Sequence, residues 1–334
     1  MKRITVAGNC LVDVIKRIDV YPKQGMLCKI SEVIPGVGGC VPNTGITLKE
    51  LAPDELEVEA ISRLGKDENG NFALNVLREH GVGTRRMVFD ENLPTSFTDV
   101  MTLPGGERTF FCAPAAGDAF CAEDVRAETL DCELFHIGYL LLLKQFDAPD
   151  EKFGTKMTRL LADVQARGIA TSIDVVSAEG ERFERVVKPA LRYCDYAVIN
   201  EIEASRITGI PLRDGDMLIR ENLRPVCDAL IESGVRRCAA VHCPELGCSA
   251  DAAGNFTLVP SLRLPRGYIV GSVGAGDAFC AGMLYSFAAG MSAEEGLRLA
   301  SCAAACNLSA PDSIGGARAL EETFELEKRF GRLD

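Results

Sequence analysis

One stretch of the chain has residue types at a spacing that can do chemistry: Gly271-Ser272-Val273-Gly274-Ala275-Gly276-Asp277-Ala278-Phe279. A glycine-rich bend runs straight into an Ala-rich apolar run, so the bend opens a helix. Glycine lets the backbone come close to a ligand. The first N–H groups of a helix have no intrahelical partner and sit at the positive end of its dipole. A phosphoryl group placed there meets several convergent donors. Asp277 lies in the same turn, where its carboxylate reaches a hydroxyl set beside that group. Gly274, Ala275, Gly276 and Asp277 thus combine an anion hole with a general base. The plainer alternative is a helix start with an Asp near its N-cap.

The chain carries its own control. Ala116-Gly117-Asp118-Ala119-Phe120-Cys121-Ala122 repeats Ala275–Ala281 residue for residue. The first copy has no upstream glycines and no long apolar helix behind it, so Asp118 reads as a turn or lid residue. A GxxxxGK[ST] loop is absent, because Gly65-Lys66 is followed by Asp67. The HRD and DFG segments of protein kinases are absent too. A phosphotransferase built on this chain has to use the helix terminus.

The rest of the sequence supplies elements to hold such a bend. Strand-like and helix-like segments alternate, which predicts a parallel sheet flanked by helices. Strands are expected at Arg3–Gly8, Glu57–Ser62, Leu134–Gly138, Ile169–Asp174, Tyr196–Asn200 and Arg237–Cys243. Helices are expected from Asp67 to His80 with Gly81 as the stop, and over Thr155–Arg167, Met217–Ser233, Gly276–Ala289 and Ala293–Asn307. Segments of about 11–35 and 95–112 alternate like strands with no helix between them, and predict a small β lid. Its apolar outer face, with Val33, Ile34, Val100 and Met101 as candidates, is expected to pair with a second copy of the chain.

Composition narrows the function classes. The chain has 334 residues and a net charge of −12, which offers no basic stripe for nucleic acid. The apolar run Ile137–Leu143 is too short to cross a bilayer, so no membrane partner is expected. The amino terminus opens as a strand, not a signal segment, and the expectation is a cytoplasmic protein. Its fourteen cysteines contain no CxxC and read as reduced packing residues.

Several motifs occur in an order that resembles the ribokinase-like (pfkB) carbohydrate kinases over nearly the whole chain. Gly274-Ala275-Gly276-Asp277 looks like the family's C-terminal signature. Gly8-Asn9 with Asp13, then Gly38-Gly39 with Asn43, resemble its acceptor-binding segments. Arg63-Leu64-Gly65-Lys66-Asp67-Glu68-Asn69-Gly70 resembles its G-x-D-x-x-G segment, and Asn200-Glu201-Ile202-Glu203 its NxxE motif. The resemblance implies a single α/β/α domain over 1–334, with a mostly parallel central sheet and a small β lid. It implies transfer of the γ-phosphoryl group of ATP to a hydroxyl of a sugar, with Asp277 as base and Gly274 to Gly276 as anion hole. Asp13, Gly38, Gly39 and Asn43 would then hold the acceptor. Asn200 and Glu203 would act on Mg²⁺ and phosphate through water, with Gly247 and the signature glycines on the nucleotide. Asn200 and Glu203 also read as an N-cap and its capping-box partner. Gly271 stands where the family usually has the Asp of its monovalent-cation loop, which leaves K⁺ activation open. His242-Cys243-Pro244-Glu245-Leu246-Gly247 replaces a Thr-x-Gly-x-x-Gly nucleotide loop, and only Gly247 fits. A nucleoside kinase, or a weakly catalytic ligand sensor on the same fold, are the alternatives.

Overall fold

Short apolar runs without alternation suit strands that are covered on both faces, and such runs build the centre of the molecule. The computed structural model describes residues 1–105, 107–177 and 182–334; position 106, inside the segment read as a lid, lies outside them. Six strands run parallel in the order Leu56–Ile61, Lys2–Ala7, Leu134–Leu140, Ala170–Val175, Tyr196–Asn200 and Cys238–His242. Leu246–Asp251 and Phe256–Pro260 extend the sheet antiparallel at one edge. Two cores cover its faces. Cys40–Leu51, Glu68–Glu79, Ala275–Ala289 and Ala293–Leu308 pack into one, and Lys156–Gln165, Glu201–Thr208 and Leu223–Glu232 into the other. The predicted three-layer α/β/α arrangement is what forms.

The parallel strands all finish on one side of the sheet, where an open α/β sheet places its ligands. A separate four-stranded sheet stands beside them, in the order Ile30–Gly38, Leu11–Ile18, Phe97–Thr102 and Arg108–Ala113. Along Phe97–Thr102 the burial alternates, and Val100 is buried. That corrects the exposure expected of Val100: Val33, Ile34, Phe110 and Phe111 on the outer strands are exposed, whereas Val100, in one row with Ile34 and Phe110 but on an inner strand, is not.

Local rules explain where element boundaries moved. The helix expected from Met217 starts at Leu223, after a short turn at Arg220–Asn222. Pro225 is the reason, since proline has no N–H and is tolerated only in a helix's first turn. An additional helix, Leu320–Phe330, closes the chain; it buries only Thr323 and Leu326, and so narrow a stripe is easily missed among charges. Asp67 caps Glu68–Glu79 by accepting from the Gly70 N–H, as the sequence order predicts. All fourteen cysteines are free thiols and most are buried.

The helices Ala275–Ala289 and Ala293–Leu308 cross at Gly282. A Cβ there would lie 2.6 Å from the Ala300 Cα. Gly282→Ala should therefore destabilise the fold by roughly 1–3 kcal/mol through overpacking, against only about 1 kcal/mol gained in helix propensity. A urea-unfolding midpoint equal to that of the unaltered protein would contradict this packing.

Candidate active site

The bend at 271–277 adopts the geometry its residue types require. Gly274 is the N-cap of the helix Ala275–Ala289 with φ 82°, and no side chain caps it. A Cβ at Gly274 would lie 2.7 Å from the Ser313 carbonyl oxygen, so both conformation and space demand glycine. The Ala275 N–H makes only a long 3.4 Å contact to the Ser272 carbonyl. Among the described residues the N–H groups of Gly276 and Asp277 have no acceptor, which leaves an anion-binding helix terminus ready for use.

Asp277 is buried, and one of its oxygens is held from two directions. Asn43 Nδ2 and Tyr139 Oη each donate to Oδ2 at 2.9 Å. Burial, and then the nearby Asp174 carboxylate, push the Asp277 carboxyl up to about 7, against the pull of Asn43, Tyr139 and Thr44. Asn43 arrives on the helix Cys40–Leu51, which Gly39 opens with φ 93°. Tyr139 and Asp174 come from neighbouring parallel strands. Their coupling is direct, since the Tyr139 N–H donates to Asp174 Oδ1. Sequence reasoning missed both residues. Each sits near the carboxyl end of an apolar strand, which is the one signal that could have found them.

Two cavities meet near this carboxylate. One, of about 650 Å³, has apolar walls from Leu262, Leu264, Phe279 and Ala305, and polar groups from Asn200 and Gly276. The second, of about 250 Å³, contains Asp174, Glu203, Gly274 and Asp277, and it shares Asn200, His242 and Gly276 with the first. His242 packs on Phe279 with ring centroids 4.8 Å apart, and burial lowers its imidazole to about 4, so it is a neutral wall. Asn200 and Glu203 form the full capping box of Glu201–Thr208. Glu203 is buried, which raises its carboxyl to about 8. Gly247 lines neither cavity; a Cβ there would come within 2.9 Å of the Phe279 ring, so its role is to seat that ring. A Cβ at Gly271 would lie 2.7 Å from the Ala310 carbonyl oxygen, so main chain fills the place where a side chain would stand.

On the lid side a third cavity, of about 600 Å³, is lined by Asn9, Thr98, Asp118, Lys144, Arg182 and Arg185 among others. The first copy of the repeated heptapeptide forms part of its wall, with Asp118 Oδ2 3.5 Å from Lys144 Nζ. Asp13 sits on the lid strand Leu11–Ile18, with Gly38 packed against its carboxylate. Burial lifts the Asp13 carboxyl to about 6, although Thr98 and Arg108 oppose this. Arg108 reaches across from the lid and donates to the Pro311 carbonyl. Asn43 and Asp277 are thus brought into contact. Asp13, Gly38 and Gly39 line neither the 600 Å³ cavity nor the one containing Asp277.

The chain is similar to 2-dehydro-3-deoxygluconokinase of Escherichia coli (strain K12), at 24% identity over 88% of this chain and 91% of the relative. It is similar to fructokinase-1 of Zea mays at 25% identity, over 74% and 72% of the two chains. The fold matches Arabidopsis thaliana ribokinase, solved with ribose and ATP, with a TM-score of 0.80, 20% identity, and 98% and 99% of the two chains covered. Residues 1–319 match the model of the pfkB family carbohydrate kinases. The chain belongs to that family, whose sugar kinases transfer a phosphoryl group to a sugar hydroxyl.

Proposed function

We propose that the protein phosphorylates a hydroxyl of a sugar or sugar acid with ATP, using Asp277 as general base. One observation carries this reading. Gly276 lines both the apolar cleft and the cavity that contains Asp277, so a nucleotide in the cleft would direct its phosphate tail at the uncapped helix terminus. The adenine fits between Leu262, Leu264 and Phe279, and the free N–H groups of Gly276 and Asp277 stabilise the transferring phosphoryl oxygens. Asn43 and Tyr139 orient the Asp277 carboxylate, which takes the acceptor's proton as attack begins. Asp13, on the lid strand Leu11–Ile18, and Gly38 and Gly39, which lead into the helix carrying Asn43, are proposed to reach the acceptor only when the lid closes and excludes water.

The oxygen-rich wall at Asn200 and Glu203 fits Mg²⁺ held through its own waters, and does not fit direct ligation, because Asn200 and Ser177 already occupy the Glu203 carboxylate. When bound, Mg²⁺ neutralises charge on the phosphates.

The acceptor is proposed to be anionic. Among the described residues, Lys144, Arg182 and Arg185 face a cavity lined by two carboxylates, Asp118 and Asp147, on a chain that is strongly acidic. Arg182 is committed to Asp147 and to the Leu141 carbonyl. Arg185 has no side-chain hydrogen bond among the described residues and is the candidate anion partner. A 2-keto-3-deoxy sugar acid, the substrate class named for the Escherichia coli relative, suits this charge. A nucleoside suits it less, since among the described residues Phe97 is the one aromatic ring in the lining. The exposed Val33, Ile34, Phe110 and Phe111 on the lid are proposed to meet a second copy of the chain. Sedimentation should give a dimeric mass, and a monomer at micromolar concentration would refute the pairing.

Asp277→Asn should lower kcat by roughly 10²–10⁴-fold with ATP affinity retained. The log of kcat/KM should rise with pH and level off above about 7, the value set by burial and Asp174. A profile flat from pH 5 to 8 would remove Asp277 as the base. The linkage sign is also fixed. A carboxyl raised in the fold binds more protons than the unfolded chain between its ordinary value and about 7, so stability falls as pH rises through that window. At pH 8 Asp277→Asn should therefore melt at a higher temperature than the unaltered protein. For the acceptor, ADP release should favour sugar acids over ribose, fructose and nucleosides. Arg185→Ala should raise the sugar-acid KM roughly 10- to 100-fold, the worth of a charge-assisted hydrogen bond. Equal turnover of neutral sugars would defeat the anionic reading, and no ADP release with any acceptor would favour a ligand sensor.

A further inference from the structure

A second constellation lies beneath Asp277 and shares Asp174 with the surroundings of that carboxylate. Cys40 opens the helix Cys40–Leu51, His136 lies in the strand Leu134–Leu140, Asp174 lies near the end of Ala170–Val175, and Cys280 is in the second turn of Ala275–Ala289. Cys40 Sγ, a His136 ring nitrogen and an Asp174 carboxylate oxygen all lie within 4.8 Å of one another. His136 Nε2 is 3.3 Å from Asp174 Oδ2 and 3.9 Å from Cys280 Sγ. All four side chains are buried. We infer that Cys40, His136 and Asp174, with Cys280 beside them, form a binding site for a soft divalent cation of the zinc class.

The geometry supports a tetrahedral ion. Zinc bonds of about 2.0–2.1 Å to nitrogen and oxygen and about 2.3 Å to sulfur place N and O ligands about 3.3 Å apart, and N and S about 3.5 Å apart. The observed 3.3 Å matches the first value, and the 3.9 Å contact needs a shift of only a few tenths of an ångström. The ring is also oriented for ligation. His136 Nδ1 lies 3.2 Å from Ser172 Oγ, so an Nδ1–H bond to that hydroxyl leaves the Nε2 lone pair facing the cluster. Gly138 keeps the space open, since a Cβ there would lie 2.1 Å from Cys40 Sγ and 2.8 Å from Asp174 Oδ2. Asp174 lines the 250 Å³ cavity, which gives an ion a route in.

The donor set separates this site from the proposed Mg²⁺ position at Asn200 and Glu203. Thiolate and imidazole select zinc-like ions, whereas Mg²⁺ demands octahedral oxygen. Binding releases the thiol protons of Cys40 and Cys280 to solvent and leaves both sulfurs as thiolates. The inference is argued from the donor atoms of this cluster and its test reads metal binding, not turnover, although Asp174 is also the charge that raises the Asp277 carboxyl.

The test uses the full chain, stripped of metal by a chelator under reducing conditions and titrated with Co²⁺. One equivalent should bind with thiolate charge-transfer and tetrahedral d–d bands, Zn²⁺ should displace it, and the melting temperature should rise with either ion. Cys40→Ala should weaken binding by more than the roughly 10–100-fold lost when a residue that only hydrogen-bonds to a ligand is removed. Cys227→Ala, a thiol in the core on the other face of the sheet, should leave it unchanged. If Cys40→Ala does not fold, Cys40→Ser and Cys280→Ala decide by the same bands. Absence of charge transfer in the unaltered protein, or bands undiminished by every ligand substitution, overturns the site.

Discussion

The structure turns on one costly arrangement: a carboxylate, Asp277, buried at the start of a helix with a second carboxylate, Asp174, close by. Desolvation and like charge both disfavour its ionised form. The helix dipole and the bonds from Asn43 and Tyr139 favour it. The balance sets the carboxyl at about 7, which is where the general base proposed for this site would work best. An ordinary exposed Asp would be ionised but too weak to accept an alcohol's proton. A fully desolvated one would hold its own proton throughout. The position between these limits depends on four elements that are far apart in sequence, and only the parallel sheet brings them together.

Tyr139 shows how tightly that assembly is specified. It has φ 62°, and Leu141, two residues on, has φ 80°, both unusual for side chains with a Cβ. Its N–H engages Asp174 and its hydroxyl engages Asp277, so one residue bridges the two carboxylates. The strained backbone is what lets the strand end turn and present both groups to one point. Strain of this kind, of order 1–3 kcal/mol per residue, persists only where the surroundings fix the conformation. Here the register of Ile137 opposite Ile173, with an irregularity before Val175, supplies that constraint.

What was legible in the sequence follows from range. Gly274 to Asp277 could be read because an uncapped helix start and its adjacent acid lie within four residues, and local rules govern both. Strand and helix existence was readable for the same reason, down to Asp67 as a cap. Tyr139 and Asp174 were not readable as site residues, since each is an isolated polar residue in an apolar strand, and only sheet register makes them neighbours. Gly247 shows the converse: a motif suggested nucleotide contact, and the fold sets the glycine against the Phe279 ring, one residue away from the cleft wall. Val100 was expected to be exposed because alternation does not reveal strand order: it lies in one row with the exposed Ile34 and Phe110, but on an inner strand.

The same distinction between local and summed properties explains how an acidic chain can be suited to anions. A net charge of −12 sets the far field and discourages polyanions such as duplex nucleic acid. Within a cleft, the nearest dipoles and charges dominate. The free N–H groups at Gly276 and Asp277 would act over a few ångströms on a phosphate, and among the described residues three basic side chains face two carboxylates around the lid-side cavity. The acids are spread elsewhere, over exposed helices such as Leu320–Phe330. Binding small anions therefore requires only that positive partial charges be concentrated where the sheet's carboxyl edge opens, and the order of strands in this chain does that.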